Sequence, residues 1–168
     1  MKNPSVSPAT SSSAPGERAR AEHLLRGAKV RVTEVRLSVL AMLLTNHRAL
    51  SHLEVQEALK DLDRVTLYRA LDCLTDAGLA HKITGDDRVF RYSTGNEPAS
   101  PVALRGIQHQ HAHFKCTLCT KVFCLDDEQP ASSLKEQLHA TLQTTLAKGF
   151  QNHDIELTIK GWCAQCSP

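Results

Sequence analysis

Four cysteines in two pairs, Cys116-Thr117-Leu118-Cys119 and Cys163-Ala164-Gln165-Cys166, are the residues of this chain best equipped for chemistry. A Cys-x-x-Cys turn puts two thiolates close enough to grip one metal ion. Two such turns supply the four sulfurs of a closed tetrahedral zinc site. The 43 residues between the pairs exceed the span of an ordinary zinc ribbon, so a helix and a strand must be enclosed between them. The expected occupant is a structural Zn2+, one per subunit. An iron–sulfur cluster would use the same ligands, and redox-active thiols are the plainer alternative.

Beside the first pair runs Gln108-His109-Gln110-His111-Ala112-His113. On a strand, His109, His111 and His113 point the same way. Neutral imidazoles suit zinc, iron, nickel and copper alike, so the run points to a second metal-binding function. Cys124 reads equally as a core thiol or as a ligand facing the histidines, and Cys73 as a small buried filler within a helix. His81 and His47, each taken alone, read as surface histidines. A zinc enzyme of the nucleotide-deaminase kind needs a His-x-Glu, and the histidine run contains no glutamate. A catalytic zinc also needs an open coordination position, which four thiolates close off. Neither an enzyme nor a small-molecule substrate is expected.

The elements around these residues must position them. With 168 residues the chain allows one domain or two small ones, and 4% aromatics imply small cores supplemented by metal or by a partner subunit. No run approaches the roughly 20 apolar residues of a membrane span. No apolar signal segment follows Met1, and paired cysteines fit a reducing compartment, so the expected location is the cytoplasm. Net charge is only +2, but residues 17–36 hold 6 basic side chains against 3 acidic ones, a mild N-terminal basic bias.

Residues 1–16, rich in Ser, Pro and Ala, read as a disordered tail. Arg18 to Lys29 can form a first helix. Thr33 caps a second, with Val35, Val39, Met42 and Leu43 as its buried face. Ser51-His52-Leu53-Glu54 is a capping box opening a third helix through about Lys60. Asp63 can cap a fourth with an inward stripe of Leu67, Leu71 and Leu74, and Gly78 suits the position after its end. Leu79–Thr84 and Arg88–Ser93 read as strands around Gly85-Asp86-Asp87. Helices followed by a hairpin make residues 17–94 a winged helix-turn-helix, a double-stranded DNA-binding architecture whose fourth helix enters the major groove. Arg64, Thr66, Tyr68 and Arg69 lie off the apolar stripe and can reach bases and phosphates.

Residues 95–107 form a Pro- and Gly-bearing hinge. Residues 108–168 form a small α/β unit: strands Ala112–Lys115 and Lys121–Leu125, a helix after Pro130 with Leu134, Leu138, Leu142 and Leu146, and a half-buried strand with Ile155, Leu157 and Ile159 inward. Its few large apolar residues predict pairing with a copy of itself. The expected fold class is therefore α+β.

With these pieces placed, residues 17–166 resemble the ferric-uptake-regulator family of bacterial metal-dependent repressors. The resemblance is carried by Arg31-Val32-Thr33-Glu34-Val35-Arg36, Val65-Thr66-Leu67-Tyr68-Arg69-Ala70-Leu71, Asp76-Ala77-Gly78-Leu79, the histidine run joined to Cys116-x-x-Cys119, and Gly161-Trp162-Cys163-x-x-Cys166. It implies a homodimer that represses metal-uptake genes by binding A/T-rich inverted repeats when metal is plentiful. It implies DNA contacts from Tyr68 and Arg69, with Arg31 near the minor groove and Arg36 near phosphate. The paired cysteines would hold structural zinc.

A regulatory metal would take His111 and His113, Cys124 in place of the usual carboxylate, and His81 from the winged helix. His109 matches a ligand position of some zinc-sensing members. Arg91 stands where a glutamate is usual and cannot bind metal. A further site of some members is expected to be absent, because Gln110, Ala112 and Ala131 replace its ligands, which leaves His153 without a metal role. A thiolate in the shell favours Zn2+ over Fe2+ as the sensed ion. Peroxide sensors of the family use an aspartate where Cys124 stands. Iron sensing and a thiol redox switch are the alternatives to a zinc-responsive repressor.

Overall fold

Capping side chains divide the first half of the chain into four helices. The computed structural model describes residues 15–85, 87–94, 112–125, 140, 141, 144 and 157–167. His109, His111, the expected 95–107 hinge and most of the helix expected after Pro130 lie outside them, though Ala140, Thr141 and Thr144 are helical.

Helix α1 spans Pro15–Gly27. It starts ahead of the expected Arg18 because proline is pre-organised for a first helical turn. Lys29, expected inside the helix, instead has φ +58 and lies beyond its end. Helix α2 (Glu34–Thr45) begins where the Thr33 hydroxyl accepts from the Arg36 amide. An exposed Arg18–Glu34 pair at 2.6 Å joins the two helices. The four-residue apolar face expected for α2 was too narrow. Leu37, Val39, Leu40, Ala41, Met42 and Leu43 are all buried, whereas Val35 is only half-buried. Such all-round burial marks a central helix, wrapped here by α1 and the elements that follow.

Strand β1 (Leu50–Ser51) runs directly into α3 (His52–Ala58), which ends two residues before the expected Lys60. Ser51 and Glu54 form the full capping box, and Arg48 reaches Glu54 at 2.6 Å. Asp63 caps α4 (Arg64–Asp76) by accepting from the Thr66 amide. Leu67, Ala70, Leu71 and Leu74 are its buried stripe. Gly78, at φ +70, closes α4 in the left-handed conformation that glycine adopts without steric cost. Cys73 lies at the edge of that stripe and is half-buried rather than enclosed.

The wing is β2 (His81–Thr84) against β3 (Phe90–Ser93), antiparallel, with His81 opposite Ser93 and Ile83 opposite Arg91. Both strands are shorter than expected. A third strand, β1, pairs on the other side of β3, giving the order β1-β3-β2. Two residues are too few for any periodicity to reveal a strand.

The second sheet has the order β5-β4-β6. Strands β4 (Ala112–Cys116) and β5 (Val122–Leu125) form the hairpin around the first cysteine turn, and β6 (Leu157–Gly161) runs parallel to β4. The half-buried pattern expected for β6 does not hold within one chain: Ile159 is 46% exposed, and Trp162 just beyond is 57% exposed. The two sheets meet where the Ala49 amide donates to the Val122 carbonyl at 2.8 Å. Ala49, Ile83, Val122 and Cys124 form a small apolar cluster at this junction, separate from the main core.

Candidate metal centres

The two cysteine turns converge because β4 and β6 are hydrogen-bonded neighbours ending at the same level, Cys116 opposite Gly161. The ligand atoms of Cys116, Cys119, Cys163 and Cys166 all lie within 4.8 Å of one another. The first turn closes through Thr120 N–H to Cys116 O at 3.0 Å, with Thr120 at φ +60. The second closes through Cys166 N–H to Cys163 O at 2.8 Å. Two further bonds tie the turns together: Thr117 N–H to Gly161 O at 2.8 Å and Lys121 Nζ to Gln165 Oε1 at 2.8 Å. At Gly161 a Cβ would meet the Phe114 ring at 3.1 Å, so any side chain there would require the ring to shift by a few tenths of an ångström.

Cys116 is fully buried, and the Cys163 amide donates to its sulfur at 3.4 Å. Backbone N–H groups, that of Cys119 first and that of Cys163 next, bring its thiol down to about 6. Cys166 is pushed up to about 12 by its hydrogen bond to Cys163 and then by Cys119. The sulfurs are hydrogen-bonded to one another and titrate together as one group. A metal bound to all four must expel the remaining protons.

A second donor cluster joins the two lobes. His113 and Cys124 face each other across β4 and β5, so both side chains leave the same face of that sheet. His81 arrives from β2 of the wing. Its Nε2 lies 3.1 Å from Cys124 Sγ, and its ring centroid is 5.8 Å from that of His113. The three donor atoms lie within 4.8 Å of one another, and His113 and Cys124 are 6% and 8% exposed. Two imidazoles and a sulfur match borderline ions such as Zn2+ better than ions that prefer oxygen. His81, which the family resemblance offered as the ligand from the winged helix, lies beside His113 and Cys124, whereas His109 and His111 lie outside the described residues.

Arg91, which cannot ligate, points to the same face as His81 but is bound to a carboxylate. Its guanidinium holds Asp87 in two bonds at 2.7 and 3.0 Å, and Lys115 Nζ of β4 lies 3.9 Å from the same carboxylate. Arg91 is the main reason the Asp87 carboxyl sits near 2, with Lys115 adding to it. Because the folded value is below the ordinary one, the stabilisation is fully present above the usual carboxylate range. It is lost as pH falls through about 4 toward 2. Asp87→Asn is therefore expected to flatten the acid limb of a thermal-unfolding profile over that window; an unchanged limb would remove this contact from the stability of the wing.

The expected DNA-reading residues are outward on α4. Arg64 and Arg69 are exposed, and Thr66 and Tyr68 are half-buried. Arg64 lies over the Tyr68 ring at 5.6 Å. Arg31 is exposed and its carbonyl accepts from Arg36 Nη1 at 2.9 Å, which holds both at the entry to α2. A residue that sequence reasoning passed over is His52, whose ring centroid lies 5.0 Å from that of Tyr68. No spacing rule pairs positions on different helices, so nothing local could have found it.

Residues 27–160 match the model of the ferric uptake regulator family. The chain is 27% identical over 152 residues to the zinc uptake regulation protein of Escherichia coli, covering 88% of this chain and 80% of that protein. It is 26% identical over 133 residues to the ferric uptake regulation protein of Haemophilus ducreyi, covering 72% of this chain and 80% of that protein. The fold is similar to that of a zinc uptake regulator solved with zinc and DNA. The TM-score is 0.59 at 24% identity, covering 93% of this chain and 95% of that one.

Proposed function

The chain belongs to the ferric uptake regulator family of metal-responsive transcriptional regulators, and from that premise we propose that it is a zinc-responsive repressor. In this reading it binds A/T-rich inverted repeats at metal-uptake genes as a homodimer. The observation that carries the zinc assignment is the donor set His81, His113 and Cys124, taken from both lobes. When bound, the ion supplies a cross-link between donors on separate elements.

His81 on the wing and His113 with Cys124 on the second sheet, sharing one ion, hold one orientation of the two lobes. In a symmetric dimer that orientation sets the spacing of two α4 helices against successive major grooves, about 34 Å apart. The regulator thus works by population shift: the DNA-competent orientation exists without metal and is enriched when these side chains have a common ligand. Cys116, Cys119, Cys163 and Cys166 hold a separate, structural Zn2+ that cements β4 to β6. The exposed Ile159 and Trp162 support a second copy as partner. Residues 17–94 would form the reading domain and 108–168 the dimerising one. Iron sensing is the second reading, favoured by the comparable likeness to a ferric uptake regulation protein.

The test uses A/T-rich inverted-repeat duplexes selected by the metal-loaded protein from a random pool. Affinity is measured across buffered free Zn2+ and, anaerobically, Fe2+, with metal content per chain in parallel. Zn2+ is expected to tighten binding by about 5- to 150-fold, the usual range of allosteric coupling. Affinity that is unchanged after the exchangeable ion is stripped, with the thiolate-held one retained, would overturn the sensor. A response to Fe2+ alone would reassign the metal.

A further inference from the structure

We infer that His52 is a positioning residue for DNA reading, set by the second lobe through Ala49 and acting on Tyr68 through ring contact. The inference rests on the proposed reading, in which Tyr68 meets DNA and the lobes are closed by metal.

Three observations place His52 on this path. It is the first residue of α3, directly after an N-cap that is held from several sides. Ser51 Oγ accepts from Glu54 N–H at 3.3 Å, Glu54 accepts from Ser51 N–H at 2.8 Å, and Arg48 clamps the same carboxylate. A residue following such a box has little backbone freedom, so its ring goes where the strand before it goes. That strand pairs with β3 of the wing, and the residue just before it is bonded to the second lobe. Ala49, three residues earlier and 1% exposed, donates its amide to Val122 O, and Val122 is two residues before Cys124 on β5. The far end of the path is the ring pair itself, 5.0 Å between centroids at 30° between planes. With Arg64 at 5.6 Å from the Tyr68 ring centroid, the tyrosine is contacted from α3 and from its own helix.

A displacement of β5 relative to the wing therefore meets a short, stiff connection: one backbone hydrogen bond, three residues of capped chain, one ring contact. Tyr68 at the surface of α4 has two free side-chain torsions, and an aromatic neighbour narrows them. Closing the lobes by metal then determines more than the spacing of the reading helices. It also restrains the tyrosine within each helix.

The experiment is a double-mutant cycle in the full-length dimer: wild type, His52→Ala, Tyr68→Ala and the pair, with His52→Phe as the ring-retaining variant. Operator affinity is measured at saturating Zn2+ and after removal of the exchangeable ion. His52→Ala is expected to weaken metal-loaded binding by about three- to tenfold, the scale of one aromatic contact. Affinity after removal of the exchangeable ion is expected to fall by the same factor, because binding then uses the same orientation, less populated. The Zn2+ affinity of the free dimer and the salt slope are expected to stay as in wild type, and His52→Phe to restore binding. In the Tyr68→Ala background His52→Ala should have no further effect.

Additive losses or a shallower salt slope would each overturn the inference, the last by making His52 a direct phosphate contact. A wild type whose affinity ignores metal overturns the functional reading instead, and is recognised before any variant is examined.

Discussion

A Cys116→Ser chain is expected to lose its structural metal and, with it, the folded β5-β4-β6 lobe. Cys116 is fully buried at the end of β4, against the amide of Cys163, where the two cysteine turns are joined. A serine oxygen is a poor replacement for a thiolate on zinc, and the other three sulfurs cannot close a tetrahedron alone. Structural zinc contributes about 10–16 kcal/mol in small domains, as much as the whole stability of an average one. Among the described residues, the apolar cluster reaching this lobe is small: Ala49, Ile83, Val122 and Cys124. It cannot offset such a loss. The helices α1 to α4 have their own core, so helical circular dichroism should persist while the dimer dissociates. Metal content by mass spectrometry and mass by light scattering check the result. A metal-free chain that remains a compact dimer would refute the structural site.

His113→Ala combined with Cys124→Ser is expected to act in the opposite way: the protein keeps its fold and structural metal and loses its response. These two side chains supply the second lobe's described half of the inter-lobe cluster, while His81 remains on the wing. With them gone, no ion can join the lobes strongly, and operator affinity at saturating Zn2+ should fall to the metal-free value, about 5- to 150-fold weaker. His113→Ala leaves a modest cavity and Cys124→Ser buries a hydroxyl in place of a thiol, each costing on the order of 1–2 kcal/mol, which a zinc-clamped lobe tolerates. The distinguishing measurement is one exchangeable Zn2+ lost per chain with the thiolate-bound ion retained. Operator binding that still rises with Zn2+ would show that the sensed ion sits elsewhere.

Much of the fold was legible because local rules governed it. Thr33, Ser51, Asp63 and Gly78 are helix boundaries whose side-chain or backbone chemistry acts within three or four residues, and all four stand where expected. The Leu67/Leu71/Leu74 stripe follows from helical period alone. What failed was what depends on neighbours. The all-round burial of α2 reflects elements packed on several sides of it. Strand β1 exists because β3 lies beside it.

The candidate sites divide in the same manner. Amino-acid order by itself marked the four cysteines as candidate ligands, since Cys-x-x-Cys spacing is a property of a single turn; the pairing of β4 with β6 brings the two turns together. It also determined helix α4, by period and capping. The family resemblance grouped His81, His113 and Cys124, but the tertiary structure shows Cys124 and His113 facing a common side, His81 reaching them from another lobe, and His52 against Tyr68. These pairs are separated by 43 residues for His81 and Cys124 and lie on different elements for His52 and Tyr68. Their meeting depends on how sheets and helices dock, which is a long-range property of packing that no local pattern encodes.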